Sequence, residues 1–447
     1  MQMNAYLVRS SIVAALGGLL FGFDTAVISG VTSALKIQYS LTPLTVGFTV
    51  SAALVGTILG ALFGGIPGDR YGRRASLRIT GILYLLSALG CAFAFDWSSL
   101  VVARFVGGLG IGASSVLGPM YIAEIAPPAS RGKMVGLFQF NIVFGILLAY
   151  FSNYVVGSMG FGEAEWRWKL GVAAIPAAIF CLALFGIPES PRWLAQKGRT
   201  GEAEDVLRGT GDPDYRKDLA EIVASVQSHQ SAGAKTGASE PLFQSRYRFP
   251  IFLAVSIGMF NQLSGINAIL YYLNDIFAAA GFTKVSGDLQ SVAVGATNLL
   301  FTVVAMSVID RLGRKKLLLI GAAGTSLALA GVAAIFLSGS HQDWLVWCLV
   351  AFIGFFAFSQ GAVIWVYLSE VFPTLVRARG QSLGSFTHWV MNALISFTFP
   401  SLAAVSRGAP FVFFALMTVV QFFVVLAVYP ETKGYTLEEM QSHMTAG

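Results

Sequence analysis

Twelve mostly apolar stretches follow one another along the chain. Each reaches the roughly 20 residues a helix needs to cross a bilayer core about 30 Å thick. They fall at about 9–33, 46–67, 76–95, 99–123, 134–157, 167–187, 249–280, 290–309, 317–338, 344–369, 380–403 and 409–429. Composition agrees with a lipid-embedded chain. Of 447 residues, 55% are hydrophobic and only 12% charged, too few polar groups to cover a soluble surface. The 49 glycines and 35 phenylalanines suit helices that pack closely in lipid. The expected fold class is an all-α membrane protein with twelve transmembrane helices.

The net charge of +6 is gathered in short clusters between the apolar stretches. Arg70, Arg73, Arg74 and Arg78 follow the second stretch, Arg131 and Lys133 the fourth, and Arg192, Lys197 and Arg199 the sixth. Arg311, Arg314, Lys315 and Lys316 follow the eighth, and Arg377 and Arg379 the tenth. All are exits from even-numbered stretches, so the positive-inside rule predicts that both termini are cytoplasmic, in a multi-pass protein of the plasma (inner) membrane. This pattern sets topology and is not a nucleic-acid face. Cys91, Cys181 and Cys348 sit singly in apolar stretches, and four scattered histidines form no metal motif. The first stretch runs too long, without a small-residue cleavage site, for a signal peptide, so a retained helix is expected.

The chain also repeats itself. Asp69-Arg-Tyr-Gly-Arg-Arg74 returns as Asp310-Arg-Leu-Gly-Arg-Lys315, Glu124 with Arg131 returns as Glu370 with Arg377, and Pro188-Glu-Ser returns as Pro430-Glu-Thr. The offsets are 241, 246 and 242 residues. Two pseudo-symmetric six-helix bundles follow, 1–189 and 248–430, enclosing a site that opens alternately to each side. Residues 190–247 are the expected cytoplasmic linker. Within it Leu219, Ile222, Val223 and Val226 recur at helical spacing, which predicts a short amphipathic helix. Residues 431–447 form the tail.

The repeated loops hold acids among bases. Asp69, Arg73, Arg74, Glu124 and Arg131, with Asp310, Arg314, Glu370 and Arg377, read as a cytoplasmic gate. Planar Arg–carboxylate pairs between the two halves are expected to latch that side in one state and part in the other. Positive-inside anchoring alone is the plainer alternative.

Two charges lie inside apolar stretches. Asp24 is about 15 residues past Arg9, hence about 22 Å into the core, and Arg104 sits at a similar depth on the fourth stretch. Intramembrane ionisable groups usually pair and usually work. Beside Arg104 the Asp24 carboxylate stays ionised; with the guanidinium withdrawn, burial favours its protonated form. That exchange is what proton coupling needs, whereas a static ion pair is the bland alternative. The repeat sets Gly22-Phe-Asp24 against Gly265-Ile-Asn267, a titratable residue against a neutral relative. The expected division has one half sensing the proton and the other holding most of the substrate.

Several strings resemble the sugar-porter branch of the major facilitator superfamily, from the first stretch to the tail. They are Gly22-Phe-Asp-Thr-Ala-Val-Ile-Ser-Gly30, Gly68-Asp-Arg-Tyr-Gly-Arg-Arg74, Pro119-Met-Tyr-Ile-Ala-Glu124, Pro188-Glu-Ser-Pro-Arg-Trp-Leu194, Gln262-Leu-Ser-Gly-Ile-Asn267 and Pro430-Glu-Thr-Lys-Gly434. The Asp-Arg-x-Gly-Arg string alone marks only the superfamily; Pro-Glu-Ser-Pro-Arg and Gln-Leu-Ser-Gly-Ile-Asn together are specific to sugar porters. The resemblance implies the major facilitator fold and a monosaccharide site at Gln139, Gln262, Asn267, Asn298, Trp365 and Asn392. Amides donate and accept, as sugar hydroxyls do, and an indole face stacks on a pyranose ring. Any one amide could instead be helix–helix glue, and Trp365 an interfacial residue.

The chain departs from the family at Asn261, usually Gln, and at His388, usually an amide beside Trp389. Gly361-Ala362 replaces a common Gly-Pro, which removes a proline hinge. Ile146 is aliphatic, as in glucose transporters of the family, where xylose symporters carry Gln. The resemblance therefore favours glucose or a similar hexose. Asp24 with Arg104 matches the bacterial proton-coupled symporters, whereas facilitators tend to carry Asn at that position. Proton symport is expected, with uniport as the alternative. A membrane sugar sensor is disfavoured because only about 17 residues follow the last stretch, and a drug–proton antiporter suits the amide set poorly. No nucleophile, base and oxyanion donor converge, so an enzyme is not expected. The expected partners are a monosaccharide, protons and the lipid bilayer. No nucleic acid and no cofactor beyond the coupling proton is expected, and the working unit is a monomer.

Overall fold

The computed structural model describes residues 4–127, 130–233, 242–372 and 376–433. Most of the predicted tail and Gly434 lie outside these residues, as does the side chain of Asp310. Among the described residues every regular element is a helix. Twelve are long and apolar enough to cross a membrane. Spans 1 to 6 are Ala5–Gly30, Pro43–Phe63, Arg73–Ala92, Trp97–Ile125, Arg131–Ser158 and Gly162–Ala183. Spans 7 to 12 are Ser245–Tyr271, Lys284–Ile309, Arg314–Ser338, Gln342–Glu370, Arg379–Val405 and Ala409–Val428. Each overlaps one of the twelve expected stretches.

Local sequence sets the boundaries. Asp96 caps span 4, accepting from the Ser99 amide at 2.7 Å while Ser99 reaches back to the Asp96 amide. Thr283 caps the helix Lys284–Leu312. In the linker, Ser190 caps Pro191–Gln196 and is followed by Thr200–Gly209 and Tyr215–Gly233. The last of these carries the predicted apolar stripe, with Leu219 packed on a buried cluster and Val226 buried.

Four spans are broken, span 6 at 172–173 and three others at places that matter for the site. Span 1 ends in the 3₁₀ turn Ile28–Gly30 and resumes as Thr32–Gln38. Span 7 runs Arg248–Leu263, breaks at Gly265, resumes as Ile266–Tyr271 and continues as Leu273–Ala279. Span 10 breaks at Ser359, between Leu345–Phe358 and Gln360–Glu370. No proline is needed there. The Ser359 hydroxyl donates to the Phe355 carbonyl at 2.6 Å, compensating part of the broken ladder.

By contact the chain divides into two compact units. The first comprises Met1–Thr25, Val55–Ala149 and Arg167–Ser239; the second comprises Ala26–Leu54, Tyr150–Trp166 and Glu240–Gly447. The boundaries cut spans 1, 2, 5 and 6, so the contact units do not coincide with the sequence repeat. The core of the first unit gathers Leu77, Tyr121, Phe180 and Leu184; that of the second gathers Leu253, Leu317, Val363 and Tyr367. Large apolar side chains such as Leu182, Leu327 and Phe423 are exposed on the spans, as a lipid-facing surface requires.

Candidate functional site

The repeated loops fold alike, each inside its own unit. In the first, Arg73 grips Glu124 with two nitrogens, Nε to Oε2 and Nη2 to Oε1, both at 2.9 Å. Its Nη1 donates to Asp69 at 2.9 Å and to the Gly68 carbonyl at 2.8 Å. Ser190 donates to Glu124, and Glu189 accepts from the Arg74 amide at 3.0 Å. In the second, Arg314 grips Glu370 with Nε at 3.1 Å and Nη2 at 2.8 Å. Thr432 donates to Glu370 at 2.6 Å, and Glu431 accepts from the Arg314 amide at 2.8 Å. Gly72 and Gly313, at φ +103° and +89°, turn each loop with no side chain in the path of Glu189 or Glu431.

This corrects one expectation. The observed Arg–Glu forks are within units, not latches between the halves. The reason is saturation: each arginine meets a carboxylate whose oxygens are otherwise capped by the Pro-Glu-Ser or Pro-Glu-Thr segment. Of the remaining predicted gate residues, Arg74 donates to the Ile187 carbonyl at 3.1 Å and Arg377 to the Phe372 carbonyl at 3.2 Å. Arg131 is exposed at the start of span 5.

Asp24 and Arg104 do meet, inside the first unit. One nitrogen, Nη1, approaches both carboxylate oxygens, at 3.2 and 3.3 Å. The Arg104 side chain is 3% exposed and that of Asp24 19%. Arg104 Nε is buried with no hydrogen-bond partner among the described residues. Charge-assisted bonds normally close to about 2.7–2.9 Å and prefer a two-nitrogen fork. Arg73–Glu124 achieves that and Asp24–Arg104 does not. The loop pair is a two-nitrogen fork, whereas the pair inside the span is a single-nitrogen contact.

The mirrored glycines have diverged. At Gly22 a Cβ would come within 1.8 Å of the Ile142 carbonyl oxygen, so this glycine lets spans 1 and 5 touch. Gly265 instead takes φ +81° and breaks span 7, against the Phe414 ring. That break sets Gln262 and Asn267 side by side.

Gln262 is the hub of a buried amide cluster in the second unit. Its Nε2 donates to Asn261 Oδ1 at 3.0 Å and lies 3.3 Å from both ring nitrogens of His388. Its Oε1 accepts from Asn267 Nδ2 at 3.0 Å. The rings of Trp365 and His388 lie 5.2 Å apart, with Trp365 still 39% exposed. Five predicted residues of spans 7, 10 and 11 thus converge: Asn261, Gln262, Asn267, Trp365 and His388. Asn298 is buried on span 8, and Gln139 is half-buried on span 5 in the first unit. Asn392 differs. It is fully buried, with Nδ2 donating to the Tyr271 hydroxyl at 3.2 Å and Oδ1 accepting from Ser396 at 3.1 Å. One of its two N–H groups is thus engaged with Tyr271.

Two features escaped the sequence. Tyr271 sits in an apolar run that gives no sign of its link to Asn392. Asp288 is 1% exposed on the helix Lys284–Leu312 and accepts from Asn274. The apolar stretch begins only at about 290, so Asp288 reads as loop; the Thr283 cap is the signal that extends the helix past it.

A family model described as "Sugar (and other) transporter" matches residues 10–444. The arabinose–proton symporter of Bacillus subtilis is 37% identical over 445 residues, which span 98% of this chain and 94% of that protein. The D-xylose–proton symporter of Escherichia coli is 34% identical over 477 residues, 98% of this chain and 96% of that protein. Among solved structures, the inward-open xylose transporter of E. coli superposes with a TM-score of 0.86 at 33% identity, covering 98% of this chain and all of that one. All three are transporters, and this chain belongs with them to the sugar transporter family of the major facilitator superfamily, as a multi-pass membrane protein and not an enzyme.

Proposed function

We propose that the chain carries a pentose across the plasma membrane by proton symport, with its arginine-rich loops and both termini in the cytoplasm. The observation that carries the coupling is the single-nitrogen contact between Asp24 and Arg104. In this scheme Asp24 trades Arg104 for the coupling proton, and release of Arg104 then signals occupancy to span 4. Sugar hydroxyls meet the Asn261–Gln262–Asn267 amides and His388, with Trp365 as the stacking face. Asn298 supplies a further amide in this scheme, and Asn392 holds Tyr271. The proton is the coupling ion, no cofactor enters, and a single chain suffices.

The choice of pentose rests on the relatives named for arabinose and xylose. It displaces the hexose expectation, which stood on Ile146 alone. That residue is 5% exposed, with its backbone nitrogen against Gly22, so its identity answers to helix packing as well as to substrate. A competition panel against labelled xylose uptake in proteoliposomes decides. Arabinose and xylose are expected to compete at lower concentration than glucose; the reverse order restores the hexose.

His388 stands where the family resemblance leads one to expect an amide beside Trp389. Truncation to alanine removes a partner of Gln262 and a wall for Trp365 while leaving the helix intact. His388→Ala is expected to raise the KM for sugar about tenfold, the worth of one good hydrogen bond, with little change in thermal unfolding. An unchanged KM would place His388 outside the sugar site.

A further inference from the structure

Gln360 opens the second helix of span 10, directly after the break at Ser359. The residue is 1% exposed, yet neither Oε1 nor Nε2 has a hydrogen-bond partner among the described residues. A primary amide carries two N–H donors and an acceptor oxygen, and leaving them unmade in an apolar interior costs folding energy. Val363 and Ile364, on the same helix, belong to the apolar core of the second unit. An apolar side chain at Gln360 would serve that packing without the cost. Asn261, Gln262 and Asn392 are buried in the same unit, and each has side-chain partners.

Gln360 is joined to the amide cluster through its main chain. Asn261 Nδ2 donates to the Gln360 carbonyl at 3.4 Å, while Asn261 Oδ1 accepts from Gln262. The row Asn267–Gln262–Asn261 therefore ends on the backbone of Gln360, and Trp365 follows on the same helix.

We propose that the Gln360 amide is a further sugar-recognition group, which bonds a vicinal pair of hydroxyls on the bound monosaccharide and so helps to set which sugars are accepted. This deepens the sugar-transport reading above and rests on it. One hydroxyl donates to Oε1 and its neighbour accepts from Nε2, so a diol meets both ends of the amide at once. A sugar that lacks either hydroxyl leaves the amide buried and unpaired, and is rejected for that reason.

The test uses Gln360→Leu in the full chain, which nearly keeps the volume of the side chain and removes its polar ends. In proteoliposomes the KM for labelled xylose is expected to rise about tenfold, the worth of about one hydrogen bond. In detergent without sugar, the variant should unfold at the parent's temperature or above it, since no bond inside the protein is lost. A lower unfolding temperature, repeated in Gln360→Met, would assign the amide to the fold and overturn the proposal. Xylose analogues that each lack one hydroxyl then compete against labelled xylose. The parent chain is expected to lose about tenfold for at least one of them, and in Gln360→Leu that loss disappears. Losses identical in parent and variant, or an unchanged KM, would overturn the proposal alone. A parent chain that takes up no monosaccharide would instead overturn the sugar reading, and the role of Gln360 with it.

Discussion

Replacing Asp24 with asparagine is expected to abolish uphill accumulation of sugar while leaving exchange of sugar down its own gradient in place. Asparagine keeps the size of the side chain and one oxygen for Arg104 Nη1, so the geometry of the pair survives (3.2 and 3.3 Å in the parent chain). What it loses is the ability to take up a proton. A gradient of one pH unit supplies about 1.4 kcal/mol per proton, enough for about tenfold accumulation at one proton per sugar. The variant should equilibrate at a ratio of about one. Because Arg104 is buried, its uncompensated charge also biases the variant toward other conformations. Adding Arg104→Gln separates that effect from the lost proton, since the double variant has no buried charge and should still fail to accumulate. Uphill uptake by Asp24→Asn, measured in proteoliposomes, would remove Asp24 from the coupling.

The second large effect is on stability. Glu124→Gln is expected to cost about 3–5 kcal/mol, because it leaves the buried Arg73 guanidinium with only the exposed Asp69 carboxylate as counter-charge. Side-chain exposures there are 5% for Arg73 and 8% for Glu124. The repeat provides an internal comparison. Arg314 and Glu370 make the same fork, but at 10% and 21% exposure. Glu370→Gln should cost less, about 1–3 kcal/mol, as solvent screens the Arg314 charge. Thermal unfolding of the two variants in detergent checks the order. Equal losses, or a larger loss at Glu370, would contradict the account of the forks as fixed, buried structure.

These two pairs show where sequence suffices and where it does not. Hydrophobic length found all twelve spans, because lipid leaves a helix little freedom over its extent. The internal repeat found Arg73–Glu124 and Arg314–Glu370 as related constellations, but spacing cannot say which carboxylate an arginine will meet. Only the packing of Ser190 and Thr432 onto the same carboxylates makes each fork local. The equivalence of Gly22 and Gly265 was legible; their different tasks were not, since one is decided by the span 5 backbone and the other by the Phe414 ring. Asn392 looked like a substrate amide by type and resemblance, and its engagement with Tyr271 is a long-range fact. Asp288 was hidden by a hydropathy edge that fell short of the helix start. The domain halves read from the repeat describe chain homology, whereas the packing units divide spans 1, 2, 5 and 6 between them.

The central claim is that this chain couples sugar movement to protons through Asp24. Its most direct test is labelled pentose uptake by the parent chain in proteoliposomes under an inward proton gradient, with and without a protonophore. Accumulation above the external concentration that collapses when the protonophore is added is the predicted result. Uptake that reaches only the external concentration, and is indifferent to the protonophore, would contradict it and make the chain a uniporter.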